Sequence, residues 1–438
     1  MQGSDEGVIT VIRSFFLRLT MSLAGVLASV LSIPSTSAGD WASWRGPTGM
    51  GHTKEKGLPI LWGGRDGKNV LWKVALLPDQ DGLKLDNNQS SPIVSRDHVF
   101  ATVSYWPKVT TQKEYPQHHV LCFRNSDGKR VWDTQIKPGP WRLTDLRGGY
   151  TAPTPASDGQ RIYVVFGSSV IAALNFDGKV LWRKEIVPYK TFDVAFGTSP
   201  IIYKDSVLLM CDAVSGASRL LAFDGKTGEL KWERKRPEVG FAHSTPVLVN
   251  LMGKDQLLVS ASNRVQGLDP ADGNVLWWCR AQGDTASPVY GGGLVFCDSG
   301  RGGAGIAVDP IGQGDISKTH LKWKVANIPQ GFSSPLIVGD HLYRLHDPGV
   351  LTCWKLASGK PVYSERLTGV QSAASPFVTS EGRIYCAGAG RSYVIAAGPA
   401  FKVLATNNLD DDSQASPAVS DGRIFLKGRR FLFCIGAK

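Results

Sequence analysis

Cysteine is scarce in this chain and never paired in sequence. Its seven residues, at 122, 211, 279, 297, 353, 386 and 434, stand singly, with no Cys-Cys, CxxC or CxxCH among them. That pattern excludes a disulfide framework, a thioredoxin-like motif and covalent haem attachment. Most sit in apolar runs such as VLCF, LTCW and FLFC, where a thiol packs as a small hydrophobe. Histidine is sparse too, and the pair His118-His119, placed in a polar insertion from Tyr105 to His119, lacks Cys or acidic residues at zinc-ligand spacing. The formal net charge is +11, yet no dense Lys/Arg run with interleaved aromatics marks a nucleic-acid groove. Such a charge draws an exported protein to anionic surfaces. The glycine-rich stretches at Gly291 and Ser299 precede no helix pattern, so they read as hairpin turns rather than phosphate loops.

Long apolar runs are missing, with one exception from Leu19 to Ile33. It follows Arg13 and Arg18 and ends on Thr36-Ser37-Ala38, the order of an export signal. Residues 1–38 are therefore expected to be a signal peptide, 39–66 a lead-in segment and 67–438 the folded domain. The mature chain is expected in the periplasm or outside the cell. It has no cysteine behind the leader for a lipid anchor and no second apolar run to span a membrane.

What is present is a repeat. Ser-Pro or Thr-Pro opens a short apolar run eight times, with prolines at 92, 155, 200, 246, 288, 335, 376 and 417. A turn rich in Gly and Asp and a second apolar run follow each time. A third run, a second turn and a Trp-bearing fourth run complete the unit. Four short antiparallel strands in about 45 residues make a propeller blade. Proline suits the start of the innermost strand, whose channel-side edge has no ladder partner. The fourth-strand aromatics are Trp132, Trp182, Trp232, Trp277, Trp323 and Tyr363, with Ala405 in the corresponding place one unit on. Together with Trp72 they are expected to pack between blades, and the Ala405 seam is expected to be the weakest.

The ends of the repeat do not match. The C-terminus, DGRIFLKGRRFLFCIGAK, supplies strands without a Trp-bearing fourth, while GKNVLWKVAL (Gly67 to Leu76) supplies a fourth strand without the first three. The expected fold is all-β: an eight-bladed propeller closed by pairing a strand at about 68–76 with the last blade at about 416–436.

The units RLLAFDGKTGELKWERK (Arg219 to Lys235) and VIAALNFDGKVLWRKE (Val170 to Glu185) resemble the quinoprotein-type, or PQQ-like, propeller repeat. The likeness runs over residues 67–438. DWASWRGPTGMG (Asp40 to Gly51) resembles the Trp-x-x-x-Arg-Gly-Pro lead-in of secreted bacterial proteins with a quinone-binding-like propeller. The resemblance implies one of two branches: alcohol and sugar dehydrogenases using pyrroloquinoline quinone (PQQ) and Ca²⁺, or non-enzymatic, BamB-like envelope scaffolds. The fold alone does not choose between them. The dehydrogenase branch uses an adjacent Cys-Cys pair and a cage of Glu, Asn and Asp oxygens, for which this chain has no counterpart.

The sequence thus leads to a monomeric, non-catalytic binding or scaffold protein without cofactor or metal. Its expected partner is a protein or an anionic polymer or small ligand. The alternatives are a PQQ- and Ca-dependent dehydrogenase and a carbohydrate-binding or carbohydrate-active propeller. Loops entering the first strands offer Asn88, Tyr150, Phe196, His243, Asp284, Phe332 and Gln371 to a funnel face. Loops between second and third strands offer Arg264, Arg301 and Arg391. Facing inward, these would make a basic, aromatic mouth.

Overall fold

Each unit alternates β-branched and aromatic residues with turns of Asp and Gly, and each forms a four-stranded antiparallel sheet. The computed structural model describes residues 40–77, 82–107, 115–143, 147–186, 197–214, 216–370 and 373–438. The expected leader, residues 1–38, lies outside them, as do Phe196 and Gln371. Blades 1 to 7 span 93–136, 156–185, 201–235, 247–280, 289–328, 336–366 and 377–408. Blade 8 takes three strands from 418–435 and its fourth, Val70–Ala75, from the other end of the chain. Trp72 pairs with Cys434 and Ala75 with Phe431, so the ring closes as the unmatched ends require. Closure leaves no free blade edge between first and last repeats. Among the described residues no helix is long and apolar enough to cross a membrane.

Blade 1 carries an additional strand, Leu83–Leu85, on the far half of its second strand. There the sequence reading needs a correction. His118 and His119 belong to the third strand, Gln117–Arg124, not to an insertion. Alternation decides it, because His118 is fully buried between Ser104 and Ser168 while His119 meets Asp133.

The seams between blades follow one rule where the repeat is regular. The indole N–H of Trp72, Trp132, Trp182 and Trp323 donates to a carbonyl in the last turn of the next blade, at 2.7–3.0 Å. The glycine of that turn has positive φ, and a Cβ on Gly128, Gly178, Gly228 or Gly359 would come within 2.5–2.7 Å of the ring. The Asp-Gly or Thr-Gly turn is therefore demanded twice, by backbone conformation and by the neighbouring indole. Trp232 lies against Gly273 in the same way, and Tyr363 packs on Phe401.

Two seams depart from the rule. Trp277 is fully buried and donates to Gln256 within its own blade. Blade 5 has a long connection there instead of a tight turn, and Gly314–Asp315 adds to blade 4 as a parallel strand beside Trp277 and Trp278. At the Ala405 seam the lead-in supplies what the repeat lacks. Leu58 and Trp62 join Ala405 in one cluster with blade 8, and Trp62 stacks on Tyr385 at 6.2 Å. That seam is filled from outside the repeat rather than left thin.

Candidate functional site: the open end of the channel

The innermost strands surround a central channel, and the Ser/Thr-Pro motif builds its collar. The backbone N–H of each motif residue donates to the hydroxyl of the motif residue in the next blade. The circle runs Ser91, Thr154, Ser199, Thr245, Ser287, Ser334, Ser375, Ser416 and back to Ser91, with every bond between 2.8 and 3.1 Å. Proline explains only half the motif. The hydroxyl is needed because each inner strand opens on an N–H that no ladder satisfies.

One end of the channel is sealed. The lead-in crosses it, and its residues meet the inner strands in turn. Trp41 pairs with Val94 of blade 1, and the Ala42 carbonyl accepts from Ser157 of blade 2. Arg45 donates to the Pro335 carbonyl of blade 6 at 2.7 Å. Gly51 and Thr53 exchange bonds with Val378 of blade 7, and Glu55 accepts two amides from the first turn of blade 8.

The other end opens on a cavity of about 520 Å³. Its inner tier is the collar, with Trp44 of the lead-in beside it. A second tier comes from the residues two positions before each motif residue: Gln89, Ala152, Gly197, His243, Thr285, Phe332, Ala373 and Gln414. Period-two alternation puts both tiers on the channel side of one extended backbone. Arg147 and Arg301 add charge at the rim, and the described lining contains no Asp or Glu.

The sequence-derived candidates divide. His243, Arg301 and Phe332 meet at the cavity. Asp284 stands behind them and pairs with the Arg301 guanidinium, which also lies 5.7 Å from the Phe332 ring centroid. Burial holds the Asp284 carboxyl above its usual range against the pull of Arg301, and burial with the Arg301 charge holds the His243 imidazole below its own. Asn88 and Tyr150 serve the wall. Asn88 accepts from the Ser104 amide and the Thr151 hydroxyl, and the buried Tyr150 hydroxyl accepts from the Leu143 amide. Arg264 lies over Trp278, outside the cavity, and Arg391 lines a separate cavity of about 270 Å³. Gln89, Thr285, Trp44 and Arg147 were missed. The first two were readable from the motif register, since Asn88 and Asp284 lie one residue off it; the irregular segments holding Trp44 and Arg147 carry no such signal.

Among the described residues no three His, Cys, Asp or Glu side chains gather as a metal-binding group. All seven cysteines are buried as free thiols. A calcium–quinone centre needs an oxygen-rich anionic cage, and this hydroxyl-lined cavity, with no carboxylate in its described lining, does not fit one.

Fold and channel together define the class: an eight-bladed propeller of PQQ-type repeats, sealed at one end of its axis. A family model described as outer membrane protein assembly factor BamB matches residues 116–365, and the chain belongs to that family. It is 27% identical over 234 residues to the outer membrane protein assembly factor BamB of Moranella endobia (strain PCIT). That match covers 50% of this chain and 58% of the relative's length. The crystal structure of BamB from Moraxella catarrhalis superposes with a TM-score of 0.56 at 14% identity, covering 84% of this chain and 97% of that one. A europium-containing methanol dehydrogenase gives 0.54 at 12% identity, covering 89% of each chain. At such identities the two structures share the fold and nothing finer.

Proposed function

We propose that this protein is an exported, non-catalytic scaffold of the cell envelope that takes an acidic segment of a partner protein into the open end of its channel, without metal or quinone. The observation behind this reading is the cavity itself: Arg147, Arg301 and His243 with Trp44 and Phe332, and no carboxylate in the described lining. Guanidinium groups pair with carboxylates in a planar, two-point geometry, and aromatic faces take the intervening side chains. The family relationship to outer membrane protein assembly factors supports protein partners over small substrates. A fluorescent peptide alternating Glu with aromatic residues is expected to bind the purified protein, and to bind less as ionic strength rises. Arg301→Ala should weaken it about tenfold, the size of one lost charge-assisted hydrogen bond. Peptide binding that ignores both salt and Arg301→Ala sinks the reading. The dehydrogenase alternative is met by titrating PQQ and Ca²⁺ into the same sample. A bound-quinone spectrum with dye-linked alcohol oxidation would replace the scaffold.

A further inference from the structure

Near the ends of the second strands, neighbouring blades meet at a fixed register. In blades 4, 5, 6 and 7 the second-strand residues Leu258, Phe296, Tyr343 and Tyr385 pair with equivalent positions of the first strand. The residue two further on in one blade meets the residue one further on in the next, because alternate residues face opposite sides of a sheet. Ser260 of blade 4 thus meets Cys297 of blade 5 at 3.1 Å, and Asp298 of blade 5 meets Arg344 of blade 6 at 2.8 Å. Both seams are closed by these buried pairs. The same register brings Leu345 of blade 6 into one cluster with Cys386 of blade 7. There the seam is not closed. A cavity of about 270 Å³ lies at it, and its apolar lining is Leu345, Val370, Ala374, Cys386 and Ala387. It is open because the blade 7 hairpin is short and bare. The second strand covers only Arg383–Cys386, and Ala387-Gly388-Ala389-Gly390 carries no side chain beyond a methyl.

Arg391 follows that hairpin at the exposed lip of the cavity. Its guanidinium lies 5.9 Å from the Tyr393 ring centroid and pairs with no carboxylate among the described residues. The acids of the lining are engaged by the chain itself. Asp411 accepts the amides of Arg430 and Phe431 and pairs with the Arg430 guanidinium, and Asp412 accepts the Ser413 amide. We infer that this cavity is a second binding site, which takes a small carboxylic acid with an aryl or branched aliphatic body, its carboxylate on Arg391. An apolar cavity of about 150 Å³ suffices for a benzene ring, so the body and one polar group fit together. A guanidinium holds a carboxylate in a planar, two-point geometry. The site shares no lining residue with the open mouth and does not depend on what the mouth binds.

The test uses the full mature chain and two probes with the same ring and opposite charge, phenylacetate and phenethylamine. Calorimetry is expected to give phenylacetate a Kd of about 0.1–1 mM, the range open to a ligand of this size, and phenethylamine no measurable binding. Arg391→Gln, at an exposed position, should weaken phenylacetate about tenfold. Ala387→Leu places an isobutyl group in the cavity and should abolish binding. Crystals soaked in phenylacetate should show its ring against Leu345 and Cys386. The inference is overturned by absence of phenylacetate binding, by phenethylamine binding as well as phenylacetate, by an affinity indifferent to Arg391→Gln, or by density located elsewhere. Should Ala387→Leu not fold, Arg391→Gln and the soaked crystals decide.

Discussion

The two ends of the channel are built from different material. At the sealed end the lead-in gives main-chain hydrogen bonds to inner strands and buries Trp41, and it runs on to place Leu58 and Trp62 in the seam at Ala405. At the open end the second tier is uneven, with the small Ala152 and Gly197 on one part of its circumference, His243, Thr285 and Phe332 on the next, and Ala373 followed by Gln414 and Gln89 completing the circle. Between them the Ser/Thr collar is uniform around all eight blades. Uniformity marks positions where the fold fixes the chemistry. Unevenness marks positions that a ring does not need, and recognition is built on such positions.

The comparison breaks most directly by removing the seal. Deleting residues 40–66 takes away Trp41, Trp62 and Leu58 at once. At about 3–5 kcal/mol for each buried tryptophan, the loss approaches a typical domain stability of about 5–15 kcal/mol. The deleted protein is expected not to persist as a soluble monomer, read by size exclusion and circular dichroism. Deleting only 40–51 opens the channel but keeps Leu58 and Trp62 in their seam, so a cooperative but lower transition is expected. If the longer deletion melts at the wild-type temperature, the lead-in is not structural and the contrast between the ends fails.

A single blade seam comes next in size. Trp182→Ala removes an indole buried between blades 2 and 3 and its bond to the Gly225 carbonyl. The expected cost is about 3–5 kcal/mol in denaturant unfolding. Gly228→Ala approaches the same seam from the other side. It places a methyl against the ring at φ of +71°, for about 1–3 kcal/mol. If both are neutral, the indoles do not set the spacing of the blades.

Smaller again is a pH effect in the wall of the open end. His118 lies between the hydroxyls of Ser104 and Ser168, stacked on Phe166 at 4.6 Å, and burial pushes its pKa from 6.5 down to about 3. Unfolding frees it to take a proton near 6.5. Between those values the unfolded chain holds the additional proton. Stability complete above pH 6.5 is therefore lost as pH falls through 6.5 toward 3. His118→Gln keeps a hydrogen-bonding side chain and removes the titration, so the acid slope should flatten by about 1.4 kcal/mol per pH unit. An unchanged slope would mean that His118 is already protonated in the fold.

Most of the architecture was legible in the chain because it recurs. Eight Ser/Thr-Pro pairs gave the blade count, and the orphan strand at Trp72 with the unfinished C-terminal unit gave the closure. The collar was half legible: proline has a local reason, while the hydroxyl's partner lies one blade away. Nothing periodic announced the path of the lead-in, whose contacts reach hundreds of residues along the chain, as Arg45 to Pro335 does. The mouth was legible only in register. His243 and Phe332 stand two residues before their motif residue and reach the cavity, whereas Asn88, one residue off that register, bonds into the wall. Arg264 and Arg391 do not converge with Arg301: each opens a third strand, whereas Arg301 lies in the loop before one.

The smallest effect on stability and the sharpest test of the contrast is Phe332→Ala. The ring is 40% exposed, lines the cavity and lies against Arg301, which is itself half-exposed at the rim. Removing it opens no enclosed void, so the change in unfolding free energy should stay within about 0.5 kcal/mol. Affinity for the acidic, aromatic peptide should nevertheless fall, because the ring offers the apolar face nearest the rim charge. A loss of stability as large as that of Trp182→Ala, with peptide affinity intact, would make Phe332 one more strut of the ring and leave the open end without a recognition surface of its own.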